Sequence, residues 1–149
     1  MFNLLLAEQI PQFWELIKYA VAKVYAIKPE DFPVIFNDIL QALLASKYQV
    51  FIKRSDDGEK KVEAIQISEI NVHKITGYKS LNLVCLYSFK YMDTDGWKDF
   101  FEFALKFAKS QQCKSITTES RNHRVWEIVK ALGFEETVRL FTYKIDGGE

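Results

Sequence analysis

Residues Met92 to Phe101 read MDTDGWKDFF and put Gly96 where an apolar strand hands over to a helix, with Asp93 and Asp95 before it and Lys98 two residues beyond. A helix start points unpaired N–H groups outward and carries roughly half a positive charge, so this position suits a phosphate-bearing ligand. Either aspartate suits a second role, capping the helix by accepting one of those N–H groups. A carboxylate about 6 Å from a phosphate charge repels it by about 1 to 3 kcal/mol at an effective dielectric of roughly 20 to 50. Lys98 offsets one such repulsion.

Other residues offer proton chemistry. Glu119, at the carboxyl end of a short strand, is the first candidate base, and Glu69 on a long strand is the second, because partial desolvation raises a carboxyl pKa toward use. A solvated strand end, or an ion pair with Arg121 or Arg124, is the plainer reading of Glu119. Tyr87 and Tyr91, at the end of another strand, are candidate acids, although strand tyrosines in a Phe-rich chain serve more often as packing. The run RNHR (Arg121 to Arg124) sets two guanidiniums and an imidazole at one helix start, which suits either a phosphate or a solvated face. His73 lies near a turn and reads as exposed. No Ser/His/Asp spacing, HExxH, Walker loop or EF-hand pattern occurs, which leaves hydrolase, metalloenzyme and nucleotide triphosphatase readings unsupported.

The chain around these residues is ordinary in size and charge. Its 149 residues suit one domain, and 48% hydrophobic with 15% aromatic content predicts a bulky core. Twenty basic residues balance twenty acidic ones, so the whole molecule gives no electrostatic footprint for nucleic acid or an anionic membrane. Cys85 and Cys113 have no metal-ligand spacing and read as reduced core thiols. The opening MFNLLLAEQI lacks a cationic leader pattern and no long apolar run follows, so a cytoplasmic protein is expected.

Periodicity supplies the elements. Phe13, Trp14, Ile17, Val21, Val24 and Tyr25 recur at helical spacing from Ile10, and Asp31 with Pro33 opens a second helix running to Leu44. Strands are expected over Tyr48 to Arg54, Lys61 to Ile75 and Leu81 to Phe89, the first two joined by a tight Asp57-Gly58 turn with positive φ. Trp97, Phe100, Phe101, Ala104, Leu105 and Ala108 mark a third helix. A strand over Cys113 to Glu119, a helix over Asn122 to Leu132 closed by Gly133, and a last alternating strand over Val138 to Ile145 complete the order α-α-β-β-β-α-β-α-β. The aromatic first helices and that last strand offer a face for a homodimer.

The stretch NHRVWEIVKALGF, Asn122 to Phe134, resembles the second cofactor motif of the Gcn5-related N-acetyltransferases, N-x-x-A-x-x-L-Y-x-x-x-G-F, through Asn122, Val125, Ile128, Gly133 and Phe134. The element order is similar to that superfamily over nearly the whole chain, and the chain also looks like divergent members encoded by tailed phages. Its first cofactor motif, a strand running into R/Q-x-x-G-x-G/A, meets Asp93, Gly96 and Lys98 here, so one of three positions is kept. The tyrosine that the family often uses as an acid falls at Val129.

The resemblance implies an α/β domain over 1–149, with a mixed, mostly antiparallel sheet and helices on both faces. It implies acetyl-CoA as cofactor and direct acetyl transfer to an unidentified primary amine. Cofactor contacts would come from Ser88, Phe89, Asp95, Gly96, Trp97, Lys98, Asn122 and Arg124, with the acetyl carbonyl against the Tyr87 to Phe89 backbone where the central strands splay. Glu119, Tyr87 and Tyr91 would do the proton work. The alternative is a catalytically degenerate, phage-related member with a structural or protein-interaction role.

Overall fold

A computed structural model describes residues 2–59 and 61–145. The chain falls into two compact units, one ending at Glu119 and the other beginning at Ser120. In the first, strand β1 (Phe2–Leu4) precedes helices α1 (Ile10–Tyr25) and α2 (Phe32–Leu44), strands β2 (Tyr48–Arg54), β3 (Val62–Val72) and β4 (Lys79–Ser88), helix α3 (Thr94–Ser110) and strand β5 (Ser115–Thr118). The sheet order is β1-β2-β3-β4-β5; every pairing is antiparallel except β4 with β5, as a helical crossover requires.

The helices cover the two faces separately. Ile10, Phe13, Ile17 and Val21 of α1, with Phe36 and Leu43 of α2, pack on Val50, Ile52, Ile65 and Ile67. On the other face, Phe100 of α3 meets Phe2, Phe51 and Ala64. The expected α/β class, with a mostly antiparallel sheet between helices, is therefore present. Along β2, and along β3 from Ala64 to Ile67, even and odd positions alternate between the two cores, which is the period of two that the sequence shows.

Two irregularities break that period. The register passes from Lys53↔Ala64 to Arg54↔Val62, so Glu63 is bulged out of β3. It passes from Ile67↔Cys85 to Ser68↔Leu83, so Val84 is bulged out of β4. Leu83 and Leu86, three residues apart, then share the α3 face, while Cys85, Tyr87 and Phe89 turn to the α1 and α2 face.

Three expectations are corrected. β1 forms from an opening too short to show a pattern; it is held by pairing with β2 and by Phe2, which packs against Phe100 and Phe103 of α3. The Asp57-Gly58 turn is not a tight positive-φ hairpin, because Gly58 stays outside the left-handed region. Instead the Asp57 carboxylate accepts from Ser55 Oγ (2.8 Å) and the Glu59 amide (3.0 Å), and the Ser55 amide donates to the Lys61 carbonyl (2.7 Å). Val138 to Ile145 forms no strand among the described residues, for an alternating pattern supplies propensity but a strand needs a ladder partner.

In the second unit, helix α4 (His123–Ala131) begins at Asn122, whose Oδ1 accepts the Arg124 amide at 2.9 Å. Gly133 follows with φ 100°, and the Phe134 amide donates to the Val129 carbonyl at 3.0 Å, the left-handed stop expected at this glycine.

Candidate active site

β4 outruns its neighbour. It pairs with β5 only through Ser80–Leu83 against Ser115–Thr118, while β4 itself continues to Ser88. The Phe89 amide donates to the Glu63 carbonyl at 2.8 Å, so alternation along the antiparallel ladder turns the Leu86 and Ser88 amides the other way, toward the side that β5 leaves uncovered. Backbone donors thus line the length of β4 beyond the last residue that β5 pairs, hereafter the gap. Of the Tyr87 to Phe89 stretch, only the Ser88 amide faces that gap.

The α1 and α2 face beside the gap carries a polar ladder across three strands. Thr117 Oγ1 donates to Asn82 Oδ1 at 3.2 Å, and Asn82 Nδ2 donates to Glu69 Oε1 at 3.2 Å. α1 ends where Ala26 adopts a left-handed conformation (φ 51°), which fixes Tyr25 in its last turn. The Tyr25 hydroxyl donates to the carbonyl of the bulged Val84. Burial, then the charges of Cys85, Tyr48, Glu69 and Glu119, push the Tyr25 phenol above its ordinary range. Both candidate bases, the half-buried Glu69 and the exposed Glu119, therefore act on one phenol at the edge of the gap.

The tyrosines expected as acids differ in setting. Tyr87 packs edge-on against Tyr19 (5.7 Å) and Phe89 (5.0 Å), and hydrogen bonding with the Tyr19 side chain, ahead of burial, raises its phenol above the usual range. Phe89 is stacked on Tyr19 at 6.0 Å. Tyr91 is exposed and lines a cavity of about 180 Å³ with Lys53, Glu63, Ser88, Lys90 and Asp93. Lys90 pairs there with the bulged Glu63, and that partner raises the Lys90 pKa. His73 is exposed beside a turn, its Nδ1 accepting from the Ile75 and Thr76 amides, both at 3.3 Å.

At the start of α3 the aspartate is a cap. Asp93 Oδ1 accepts the Gly96 amide at 2.8 Å, and the first intrahelical bond runs from the Trp97 amide to the Asp93 carbonyl at 3.1 Å. The Thr94 and Asp95 amides precede that bond and point out of the helix, with Lys98 exposed beyond them. Gly96 is buried, and a Cβ there would meet Met92 Cγ at 2.5 Å, so packing against Met92 suffices to require glycine.

The second unit holds the RNHR run. The Arg124 amide is taken by the Asn122 cap, the His123 ring lies tilted against Trp126 with centroids 4.2 Å apart, and the Trp126 indole donates to the Ser120 carbonyl. Among the described residues no three His, Cys, Asp or Glu side chains gather as a metal site would need, and no helix is long and apolar enough to cross a membrane.

Tyr25, Asn82, Thr117, Lys53 and Glu63 are neighbours of the candidate site that the sequence gives no sign of. Their juxtaposition comes from strand register and from bulges, which leave no local pattern; Tyr25 reads only as one more member of an apolar helix stripe.

The architecture is that of the Gcn5-related N-acetyltransferase fold. No family model and no curated protein sequence matches the chain. Among solved structures it is similar to a probable acetyltransferase at 11% identity and a TM-score of 0.75, covering 100% of this chain and 99% of that one. It is likewise similar to the aminoglycoside N-acetyltransferase AAC(6')-Iy in complex with CoA, at 17% identity and TM-score 0.70, covering 97% and 93%. An aminoglycoside acetyltransferase from an uncultured soil metagenomic sample, in complex with sisomicin, matches at 15% identity and TM-score 0.73 over 98% and 96%. At such identities the likeness is one of fold.

Proposed function

We propose that the chain is an acetyl-CoA-dependent N-acetyltransferase acting on a primary amine by direct attack. The observation that carries this reading is the gap beside β4, where pairing stops at Leu83 while the strand runs on and turns the Leu86 and Ser88 amides into the opening. Likeness to acetyltransferases solved with CoA and with an aminoglycoside supports the same reading. Its extent over nearly all of the chain supports taking 1–149 as one domain.

The residues present fit such a cofactor in a reduced form. When bound, acetyl-CoA supplies an activated acetyl thioester. The Ser88 amide would face the acetyl oxygen as a preorganised donor. The Thr94 and Asp95 amides, with Lys98, would hold the phosphates beside Trp97, while the Gly96 amide is engaged by Asp93. Glu119 or Glu69 would take the proton of the attacking ammonium, and Tyr87 or Tyr91 would return one; the raised pKa keeps Tyr87 protonated at neutral pH.

The Asp93 cap favours a second reading. Its carboxylate occupies a donor that the phosphate would use and adds negative charge, as in a degenerate, phage-related member kept as a structural or interaction protein. Thermal unfolding with acetyl-CoA separates the two. At 100 times its dissociation constant a ligand adds about 2.7 kcal/mol, an upward shift of roughly 5 to 10 °C for this size. No shift at millimolar acetyl-CoA overturns the transferase, and a shift without acetylation of any amine in a broad panel favours the second reading.

A further inference from the structure

The cavity of about 180 Å³ beside Asp93 is lined by four charged side chains, Lys53, Glu63, Lys90 and Asp93. Three of them are engaged. Lys90 is paired with Glu63, and the Asp93 carboxylate accepts the Gly96 amide at 2.8 Å. Lys53 is half-buried and has no ion-pair partner among the described residues. Strand pairing puts it there. The register runs Phe2↔Lys53↔Ala64↔Ser88 across β1 to β4, and Phe2 and Ala64 belong to the α3 core, so Lys53 projects on the face that α3 covers. It stands two strand spacings, about 10 Å, from Ser88. The Ser88 hydroxyl donates to the Lys90 carbonyl and so fixes the turn that leads on to Tyr91 and Asp93. A half-buried ammonium near a helix start bears the cost of leaving water and also meets the positive end of the helix dipole; an anion relieves both.

We infer that Lys53 binds the diphosphate of acetyl-CoA, supplying from β2 a cation to a cofactor loop whose own first position is the acidic Asp93; this rests on the transferase reading above. Lys53 adds its charge to that of Lys98 and of the Thr94 and Asp95 amides, and it offsets the Asp93 carboxylate, which stays in place as the cap. Lys90 does not serve in this way, because Glu63 neutralises it. The charge is thus carried by a residue that only strand register brings to the loop.

The test is calorimetric titration of the full chain with acetyl-CoA and with S-acetylpantetheine, a thioester of the same acyl arm that carries no phosphate. Lys53→Met keeps the aliphatic stem and removes the charge. It is expected to weaken acetyl-CoA about tenfold or more, to leave acetylpantetheine within about twofold, and to raise KM for acetyl-CoA with kcat little changed. Lys53→Arg is expected to retain most of the affinity. Amine labelling of the wild-type chain, read by mass spectrometry, needs no variant to fold: acetyl-CoA is expected to slow labelling of Lys53, and acetylpantetheine is not. Acetyl-CoA affinity unchanged by Lys53→Met, equal weakening of both thioesters, or labelling of Lys53 that acetyl-CoA does not slow overturns the inference and leaves the transferase reading standing. A wild-type chain that binds neither thioester overturns that reading, and the inference with it.

Discussion

The Tyr25 hydroxyl donates to the carbonyl of Val84, joining the last turn of α1 to the one residue of β4 that the register leaves without a partner on β3. The bulge gives up regular pairing at that point, and a side chain from across the sheet face satisfies the carbonyl instead. The same bulge reverses which face the following residues occupy, so this contact helps fix where β4 parts from β5.

Tyr25→Phe removes that donor and leaves the Val84 carbonyl unpaired, at an expected cost of about 1 kcal/mol in urea unfolding. If the gap is the acetyl site, kcat falls more than KM rises, because the loosened bulge misplaces the Ser88 amide. An unchanged midpoint would mean that water replaces the phenol.

Asp93→Ser keeps a good capping oxygen and removes the negative charge. Stability is expected to change by about 0.5 kcal/mol or less, while acetyl-CoA should bind about fivefold or more tightly, since relief of a repulsion of roughly 1 to 3 kcal/mol is involved. Calorimetric titration of both proteins checks this. Gly96→Ala is a poorer probe, for its Cβ would press on Met92 Cγ at 2.5 Å and disturb the fold first.

Gln66 is fully buried on the α3 face of β3; its Nε2 donates to the Ile67 carbonyl at 2.8 Å, and its Oε1 has no hydrogen-bond partner. A buried carbonyl of that kind costs about 1 to 3 kcal/mol. Gln66→Leu or Gln66→Met is therefore expected to raise Tm by about 3 °C or more, readable by calorimetry.

Burial pushes the Cys85 thiol from its ordinary 9.0 up to about 12, so the folded chain keeps this proton longer than the unfolded chain does. The stability it contributes is whole below pH 9 and lost as pH rises toward 12, because the unfolded state binds fewer protons across that window. The slope is at most about 1.4 kcal/mol per pH unit, and Cys85→Ala should remove it from urea unfolding series at pH 8 to 10.5. Tyr25, raised by burial as well, contributes in the same direction at the upper end.

Much of this protein is legible along the chain. The stripes of α1, α2 and α3 and the alternation of β2 and β3 predict the elements, because each is a local periodicity that one apolar core reads directly. Gly133 stops α4 with positive φ as its position suggests, and the cap reading of Asp93 is written in the residues themselves. The alternation of Val138 to Ile145 misleads for the same reason that it attracts: propensity is local, whereas a ladder partner is not.

What the tertiary structure alone decides is register. Nothing in the order of residues says that Glu63 and Val84 are bulged, that Thr117, Asn82 and Glu69 form one ladder, or that Tyr25 reaches a β4 carbonyl. These relations join residues far apart in the chain through the pairing of strands, and a shift of one residue in that pairing turns a side chain to the opposite face. The sequence by itself therefore determines which elements exist and which residues carry reactive groups, and only the packed sheet determines which of those groups meet.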